Sequence, residues 1–325
     1  MSSLGARAGR STYEPPSTKR TSPDLGRISE RPEDRKGSVT HARTLPCPAT
    51  LPGGLVVERV LGRGAIGVVV SAITPAPHRR VAVKLLSPEW TLDAEQRRRL
   101  LREAQAVMRL SSPHVARVID VNLLEDGSPF VVFEYLQGRS LESMIADGPL
   151  SVRDAVRYIL DALDALAEAH RLGLVHRDVK PANLFLAERP GKPPIVKVLD
   201  FGLVKDIVGH NRGSRLTMSG TSIGTPAYMA PEQLTTGSTV GPQADVWAVA
   251  ATLFELITGD VPFAAPSIPL MLSRLTQEQA PRLRTVCPDA PRLLEHVIRW
   301  CLEKDPKHRP ANAEVLERAL SRIPY

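Results

Sequence analysis

The sequence is poor in cysteine, in aromatic residues and in long apolar runs. It has three cysteines among 325 residues, and Cys47, Cys287 and Cys301 lie far apart without metal-binding spacing. This excludes a disulfide framework and favours reduced thiols in the cytoplasm. The longest apolar run, residues 247–256, is interrupted by Glu255 and is too short to span a bilayer. The N-terminus lacks the apolar core of a signal peptide, so we expect a cytoplasmic protein without membrane contact.

Acidic residues are also in deficit. The chain has 42 Lys and Arg against 35 Asp and Glu, which gives a net charge of +7 and a pI near 9.5. A basic protein of this kind sometimes binds nucleic acid, but here the basic residues are not interleaved with aromatic ones. An arginine-rich composition with a basic N-terminal segment accounts for the charge, so we expect no nucleic-acid partner.

The N-terminal segment, residues 1–50, is rich in Ser, Pro, Arg and Gly and contains hardly any Val, Ile or Phe. Such a segment buries too little apolar surface to offset its ordering entropy, so we predict that it is disordered. It is either a docking or autophosphorylated tail or a solvated leader without a role. The apolar share of 42% predicts a packed fold for the remainder, starting near Leu55.

Hydrophobic patterning divides the remainder into a β-rich part with one helix, residues 93–110, and a larger helical part. The helical part contains a helix over residues 151–172, with Ser151 as its N-cap, and a buried helix over residues 245–258. A Gly/Pro-rich turn over residues 189–194 separates the last two strands. The predicted strands are residues 55–61, 68–73, 80–86, 115–124, 130–133, 184–186 and 195–199. The pattern predicts an α+β fold with two lobes.

Two loops beside the last two strands carry the polar side chains that phosphate chemistry needs. The run His176–Asn183 contains the carboxylate of Asp178, the ammonium of Lys180 and the amide of Asn183, and Asp200 follows as a second carboxylate. Carboxylate and amide oxygens suit Mg²⁺, and an ammonium neutralises phosphate charge. The loops therefore predict a site that holds a metal-bound polyphosphate while a proton leaves a hydroxyl group.

A glycine-rich loop near the start of the ordered chain has the spacing G-x-G-x-x-G over residues 62–67. Dinucleotide-binding folds share this spacing but continue into a helix, whereas residues 68–72 here are typical of a strand. In a hairpin, such glycines let backbone N–H groups approach phosphates without a Cβ in the way. The alternative is a turn that only closes the hairpin.

A lysine at the end of a buried-looking strand, Lys84, needs an anion because burying an unpaired ammonium is costly. Glu103 lies at the edge of the apolar stripe of the next helix, where its carboxylate suits an inward ion pair with Lys84. The alternative for Glu103 is a surface pair with Arg99, four residues earlier.

These motifs occur in the order and spacing of the eukaryotic-type protein kinases, and the sequence resembles bacterial serine/threonine members of that family. The motifs that carry the resemblance are the glycine loop, Val81–Lys84, His176–Asn183, Asp200–Gly202, Gly224–Tyr228 and Ala230–Glu232. The resemblance implies a bilobal kinase domain over residues 55–323. The small lobe would span residues 55–133, the hinge residues 134–138 and the large lobe residues 139–323.

The resemblance also implies a function and a catalytic set. The protein would transfer the γ-phosphoryl group of MgATP, with Mn²⁺ as an alternative metal, to Ser or Thr hydroxyls of protein substrates. Asp178 would accept or orient the hydroxyl proton and Lys180 would neutralise the γ-phosphate. Lys84 with Glu103 would position the α- and β-phosphates. The metal ligands would be Asn183 and Asp200.

The resemblance assigns the nucleotide cleft to the glycine loop, the neighbouring strands and the hinge. Phe133 would be the gatekeeper in front of the hinge, and His176 would be a packed residue rather than a base. The residues implied to contact ATP are Leu61, Gly62, Arg63, Gly64, Ala65, Ile66, Gly67, Val68, Val69, Ala82, Lys84, Glu134, Leu136 and Phe185.

Regulation is implied by Arg177, which in this family marks kinases whose loop after Asp-Phe-Gly is ordered by phosphorylation. The candidate phosphosites are Thr217, Ser219 and Thr221, while Thr225 would brace Asp178 and Lys180.

Supporting roles are implied for three further residues. Glu232 and Arg309 would form a buried ion pair. Asp245 would cap the central helix and hold the backbone of the catalytic loop. A homodimer through the small lobe is an expectation by analogy alone.

Two other classes remain open at this point. A pseudokinase scaffold would lack one of Lys84, Asp178, Asn183 or Asp200, all of which are present. A small-molecule kinase of related fold would lack the Ala-Pro-Glu motif.

Overall fold

The computed structural model describes residues 49–64, 67–86, 94–201, 226–235 and 240–324. The predicted tail lies almost wholly outside these ranges. The candidate phosphosites, Thr225, Cys47 and two residues of the glycine loop, Ala65 and Ile66, also lie outside them.

The small lobe contains an antiparallel sheet with the strand order β1-β2-β3-β4-β6-β5, and one helix, α1, packs near β5. The strands are rich in valine, whose branched side chain suits a pleated surface that is buried on one side. The bounds are β1 Thr50–Leu51, β2 Leu55–Gly64, β3 Gly67–Ile73, β4 Arg80–Leu86, α1 Ala94–Val107, β5 Val118–Leu123 and β6 Pro129–Glu134.

The sheet begins earlier than the expected start near Leu55. Thr50 and Leu51 pair with Val56 and Leu55, and Leu51 is buried. A strand of two residues is too short to show an alternating pattern in the sequence. Pairing with β2 is what orders it.

The large lobe is mostly helical. Ser151 caps α3 through its side-chain oxygen, which accepts the Asp154 N–H as predicted. The amphipathic face of α3 packs against the central helix α4, which is buried over most of its length. The helices are α2 Leu141–Ile145, α3 Val152–Arg171, α4 Pro242–Thr258, α5 Ile268–Gln277, α6 Leu283–Val286, α7 Arg292–Cys301 and α8 Ala313–Leu320.

The central helix α4 begins at Pro242, three residues before the predicted start at Asp245. Proline is tolerated at the first helical position because its missing N–H would have no partner there. Gly241 is therefore the N-cap, and the prediction that Asp245 caps this helix is wrong. Asp245 lies within the first turn, where its side chain points away to the catalytic loop.

A second, three-stranded sheet lies beneath the hinge and has the order β7-β8-β9. The bounds are β7 Gly138–Ser140, β8 Leu184–Arg189 and β9 Lys192–Val198. The predicted turn over residues 189–194 is wrong in extent, because Arg189 pairs with Lys192 and only Pro190 and Gly191 turn. Pro193 and Pro194 belong to β9, which is an edge strand where a missing N–H costs no ladder bond.

The lobes meet where β9 touches the segment that precedes β5. Val115 forms a parallel bridge with Val198, and the Val198 N–H donates to the His114 carbonyl at 2.7 Å. One apolar core continues through this junction, from α1 and β6 into α3 and α4. The catalytic loop, residues 175–183, precedes β8, and the second catalytic loop, residues 199–201, follows β9. The junction therefore helps to set the position of both loops relative to the small lobe.

Candidate active site

The catalytic loop, residues 175–183, is held by one buried carboxylate. The two Oδ atoms of Asp245 accept the backbone N–H groups of His176 and Arg177 at 2.8 and 2.7 Å, and the Asp245 side chain is fully buried. Arg177 has a φ of 61°, a left-handed conformation that a non-glycine residue rarely adopts. Asp245 thus performs the predicted backbone-holding role, because its two acceptors fix this strained turn.

A buried histidine, His170, supports Asp245 from α3. Its Nδ1 accepts the Ala313 N–H at 3.1 Å, which leaves Nε2 to carry the proton and donate to Asp245 at 2.9 Å. Ala313 is the first residue of α8, so His170 joins the start of that helix to the carboxylate that holds the catalytic loop. No local sequence pattern marks this residue, because its partners lie 75 and 143 positions away.

His176 is a packed residue, as its predicted role requires. Its Nδ1 accepts the Asp178 N–H at 3.2 Å, and its Nε2 donates to the Leu199 carbonyl at 2.8 Å. The ring lies 4.9 Å from that of Phe201, and the residue is fully buried. Both ring nitrogens therefore hold backbone in place, and the histidine links the two catalytic loops.

The Asp178 carboxylate contacts the side chains of Lys180, a predicted catalytic residue, and Asn183, a predicted metal ligand. Its Oδ2 accepts from Lys180 Nζ at 3.1 Å and from Asn183 Nδ2 at 3.0 Å. The Asn183 amide also donates to the Asp178 carbonyl at 2.7 Å. An ammonium and an amide thus orient the Asp178 carboxylate.

The second loop brings Asp200 to Lys84 of β4, whose Nζ lies 2.8 Å from Asp200 Oδ2. Asp200 has a φ of 52°, and the neighbouring Leu199 N–H donates to the Asn183 carbonyl at 2.8 Å. The backbone thereby joins the segments that carry Asn183 and Asp200. Glu103 is half-buried on α1, and its pairing with Lys84 stays a prediction.

The donor set around Asp200 fits a hard divalent cation. Asp200 offers a carboxylate, and Asn183 uses its amide nitrogen toward Asp178, which turns its amide oxygen the other way. Oxygen ligands from one or two side chains, completed by phosphate and water, are the usual environment of Mg²⁺. Among the described residues no cluster of three or more His, Cys, Asp or Glu suits a metal held by protein side chains alone.

The roof of the cleft is the hairpin of β2 and β3. Val69 pairs with Lys84, and Ala82 pairs with Phe133, which places two predicted base contacts and the predicted gatekeeper in adjacent rows. Gly67 approaches β4 so closely that a Cβ would lie 2.0 Å from the Leu85 carbonyl oxygen. This position therefore requires glycine for packing. At Gly62 and Gly64 a Cβ would meet nothing within 4 Å, so these glycines leave open space above the cleft.

The hinge is tied to both lobes through Glu134. Its Oε1 accepts the Arg117 N–H at 2.8 Å from the small lobe and Lys197 Nζ at 2.7 Å from β9 of the large lobe. At the far end of the hinge, Gly138 has a φ of 133°, and a Cβ there would lie 2.0 Å from the Leu186 carbonyl oxygen. Lys197 was missed in the sequence, although a lysine within an apolar strand was the available signal.

The predicted ion pair of Glu232 with Arg309 is confirmed. Arg309 Nη1 and Nη2 lie 2.8 and 2.9 Å from the two carboxylate oxygens, and the arginine side chain is fully buried. Three backbone carbonyls accept its other donors, those of Gln243, Glu303 and Lys304. This pair anchors the segment after the second catalytic loop to the last helices.

A half-buried carboxylate, that of Glu255, contacts the same segment. The Tyr228 hydroxyl donates to Glu255 at 2.6 Å. Burial raises the pKa of Glu255 above its usual range, although the hydrogen bond from Tyr228 opposes the shift, and the charges of Glu142 and Asp260 add to it. Burial and the Glu255 carboxylate together raise the pKa of Tyr228, so that the phenol stays protonated.

Two remaining expectations concern thiols and membranes. Cys287 and Cys301 are free thiols, and burial raises the pKa of Cys301, so that it stays protonated and unreactive. Within the described ranges, no helix is long and apolar enough to cross a bilayer.

The chain was compared with known proteins. Residues 55–320 match the protein kinase domain family. Serine/threonine-protein kinase pkn3 of Myxococcus xanthus is 36% identical over 271 residues, which are 82% of this chain and 49% of that protein. Serine/threonine-protein kinase PknB of Mycolicibacterium smegmatis is 33% identical over 281 residues, which are 85% of this chain and 44% of that protein. The chain thus spans less than half the length of these two relatives.

Solved structures give the same answer for the fold. The crystal structure of the PknI kinase domain of Mycobacterium tuberculosis superposes with a TM-score of 0.67 and 29% sequence identity, and the match covers 86% of this chain and 99% of that one. The two lobes and the order of their elements agree with the bilobal α+β fold predicted from the sequence. The chain belongs to the protein kinase domain family.

Proposed function

We propose that this protein is a serine/threonine protein kinase that transfers the γ-phosphoryl group of MgATP to Ser or Thr hydroxyls of protein substrates. The observation that carries the proposal is the convergence of Lys180 and Asn183 on the Asp178 carboxylate, next to the Lys84–Asp200 pair. Family membership, and relatives named serine/threonine-protein kinases, support the substrate class.

In the transfer step, a bond forms between the substrate hydroxyl oxygen and the γ-phosphorus while the bond to the bridging oxygen of ADP breaks. Asp178 orients the hydroxyl and takes its proton. Lys180, which lies 3.1 Å from Asp178, neutralises charge on the γ-phosphate, and Lys84 positions the α- and β-phosphates. Positioning and electrostatic stabilisation supply most of the acceleration, because phosphoryl transfer needs little covalent help from the protein.

Asn183 and Asp200 would hold Mg²⁺, or Mn²⁺ as an alternative. The ion would neutralise charge on the phosphate oxygens. Lys84, which lies 2.8 Å from Asp200, would then contact phosphate, and Asp200 would contact the metal. The pair therefore keeps both side chains at the site before the nucleotide arrives.

The proposal includes activation by autophosphorylation at Thr217, Ser219 or Thr221, with Arg177 as the cation that pairs with the phosphate. Support comes from the position of Arg177 beside Asp178 and from the charge of about −1.5 to −2 that a phosphorylated residue carries at pH 7. A cytoplasmic location and a small-lobe homodimer belong to the same proposal. They rest on the dispersed cysteines and on analogy, respectively.

The test is an assay with labelled ATP, Mg²⁺ and a basic protein acceptor, using the wild type and Asp178→Asn. The wild type should phosphorylate Ser or Thr, and Asp178→Asn should bind ATP equally well but lose at least about 10²-fold in turnover. Near-normal transfer by Asp178→Asn would overturn the assignment. Mass spectrometry of the active wild type should find phosphate on residues 217–221, and an active sample without it would refute the activation mechanism.

A further inference from the structure

The hinge carries a tyrosine, Tyr135, that lies between two predicted base contacts, Glu134 and Leu136. Its hydroxyl accepts a hydrogen bond from Arg59 Nη2 at 3.1 Å. The Arg80 guanidinium lies over its ring, 5.4 Å from the centroid. One side chain of the hinge is thus held by two arginines, one from β2 and one from β4.

Arg80 is itself fixed by a two-pronged ion pair. Its Nε and Nη2 lie 2.7 and 2.9 Å from the two carboxylate oxygens of Glu58. The hydrogen bond from Arg80 lowers the pKa of Glu58, so the pair stays ionised at neutral pH. We call Glu58, Arg59, Arg80 and Tyr135 the hinge clamp. Its members come from β2, β4 and the hinge and form one continuous set of contacts.

The strand register places the clamp on the face of the sheet that is predicted to bind ATP. Arg59 pairs with Ser71, Ser71 with Ala82 and Ala82 with Phe133, and direct partners in antiparallel strands point to the same face. Arg80, Ala82 and Lys84 alternate along β4, so they share that face as well. Over four residues Arg80 lies roughly 13 Å along the strand from Lys84, at the end away from the phosphate site.

The clamp also connects the two walls between which a base must insert. Arg59 lies two residues before Leu61, which is a predicted contact in the roof, and Tyr135 lies in the hinge. Direct main-chain pairing joins the hinge to β4 through Val81 and Glu134, but β2 reaches the hinge only across β3 and β4. The hydrogen bond between Arg59 and Tyr135 joins β2 to the hinge directly. It therefore constrains the distance between the β2–β3 hairpin and the hinge.

We propose that the hinge clamp positions the hinge against β2 for nucleotide binding, which makes Arg59 and Tyr135 positioning residues for ATP. This rests on the proposed kinase function and adds residues outside the catalytic set. The clamp holds the hinge and β2 at the spacing that a bound nucleotide needs. Less of the binding free energy is then spent on ordering these segments, so the affinity for ATP is higher. If these four residues formed surface contacts only, replacing them would leave the affinity for the nucleotide unchanged.

The experiment measures the dissociation constant of the fluorescent nucleotide mant-ATP with Mg²⁺, together with KM for ATP and kcat. The variants are Arg59→Ala, Tyr135→Phe and the double variant. Tyr135→Phe keeps the ring under Arg80 and removes only the hydroxyl. Each single variant should weaken binding and raise KM about threefold, as expected for one partly exposed hydrogen bond, and should change kcat much less. The double variant should be no worse than either single one, because both remove the same contact.

Arg79→Ala is the matched control, since Arg79 is the exposed arginine next to Arg80 and lies outside the clamp. It should leave the dissociation constant and KM unchanged. Arg59→Lys, which keeps a cationic donor, should recover part of the affinity. A role in stability alone would lower the melting temperature of the variants without moving the ratio of KM to kcat.

Unchanged affinity in both single variants, or additive losses in the double variant, would overturn the clamp. The proposed function fails in a different way, through a wild type that binds mant-ATP without transferring phosphate or does not bind it at all. Binding is measured without an acceptor protein, so the proposal for the hinge clamp is tested even if the proposed substrate class is wrong.

Discussion

The catalytic loop and the hinge are both held by side chains from distant parts of the chain, but in opposite environments. Asp245 and His170, which support the catalytic loop, have side-chain exposures of 0% and 3%. Glu134 and Arg80, which hold the hinge, have exposures of 31% and 48%. Water and salt screen the second set and hardly reach the first. The difference teaches that this fold holds its catalytic loop through buried contacts and its hinge through contacts that water and salt can weaken.

The largest effect is expected for Asp245→Asn, which disturbs the buried contacts that hold the catalytic loop. An amide oxygen accepts one of the two backbone N–H groups, while the amide nitrogen faces the other as a second donor. One buried donor is left unsatisfied, which should lower the free energy of unfolding by roughly 1–3 kcal/mol and reduce kcat strongly. Urea denaturation and steady-state kinetics measure both. Asp289→Asn, at an exposed site, is the control. An unchanged kcat in Asp245→Asn would show that the loop does not depend on this carboxylate.

Lys197→Met tests the partly exposed contacts that hold the hinge. The change removes the Lys197–Glu134 pair at 2.7 Å and keeps a side chain of similar length. The hinge should loosen and KM for ATP should rise roughly two- to fivefold, the range expected for a partly exposed ion pair. About 1 M NaCl should raise KM of the wild type in the same sense and have less effect on the variant. Lys192→Met, at the exposed start of β9, should behave like the wild type. A salt response equal in wild type and Lys197→Met would contradict this account.

The smallest effect is expected for Glu255→Gln. This change removes the charge of Glu255 and so separates the cost of burying that charge from the benefit of its hydrogen bond with Tyr228. Asp245 is held by three donors, whereas the half-buried Glu255 accepts from the Tyr228 hydroxyl and feels the charges of Glu142 and Asp260. Its folded-state pKa exceeds the ordinary value of 4.5. Protonation therefore favours the folded protein, and this stabilisation is complete below about pH 4.5 and lost as pH rises through the folded-state pKa.

Glu255→Gln should therefore be more stable than the wild type at pH 7–8, and the difference should vanish toward pH 4. Melting temperatures across this range, with the exposed Glu188→Gln as control, provide the measurement. A variant that is less stable than the wild type at pH 8 would mean that the Tyr228 hydrogen bond outweighs the burial of charge.

Much of the site was predictable because its residues lie close together in the sequence. Asp178, Lys180 and Asn183 fall within six positions, and a tight loop must bring them together whatever surrounds it. The strand that carries Lys84 and the strand that precedes Asp200 were visible as valine-rich runs. Glu232 and Arg309 are 77 positions apart, and their pairing was available only through the family resemblance.

The rest depended on register and packing that a single sequence does not reveal. The pairs Lys197–Glu134 and Arg59–Tyr135 span 63 and 76 positions and need the order of strands in two sheets. Pro193 and Pro194 look like a turn until β9 is known to lie at an edge. Local composition favoured the wrong structure there, because tertiary position decides whether a missing N–H matters.

The bond between His170 and Ala313 has a practical meaning for anyone who shortens this protein. The first turn of the last described helix supplies the N–H that fixes which nitrogen of His170 carries its proton. That nitrogen then donates a hydrogen bond to Asp245. A chain cut before residue 313 would retain every residue of the catalytic set. It would nevertheless lose the group that sets the tautomer, and its catalytic loop would no longer be held in the same way.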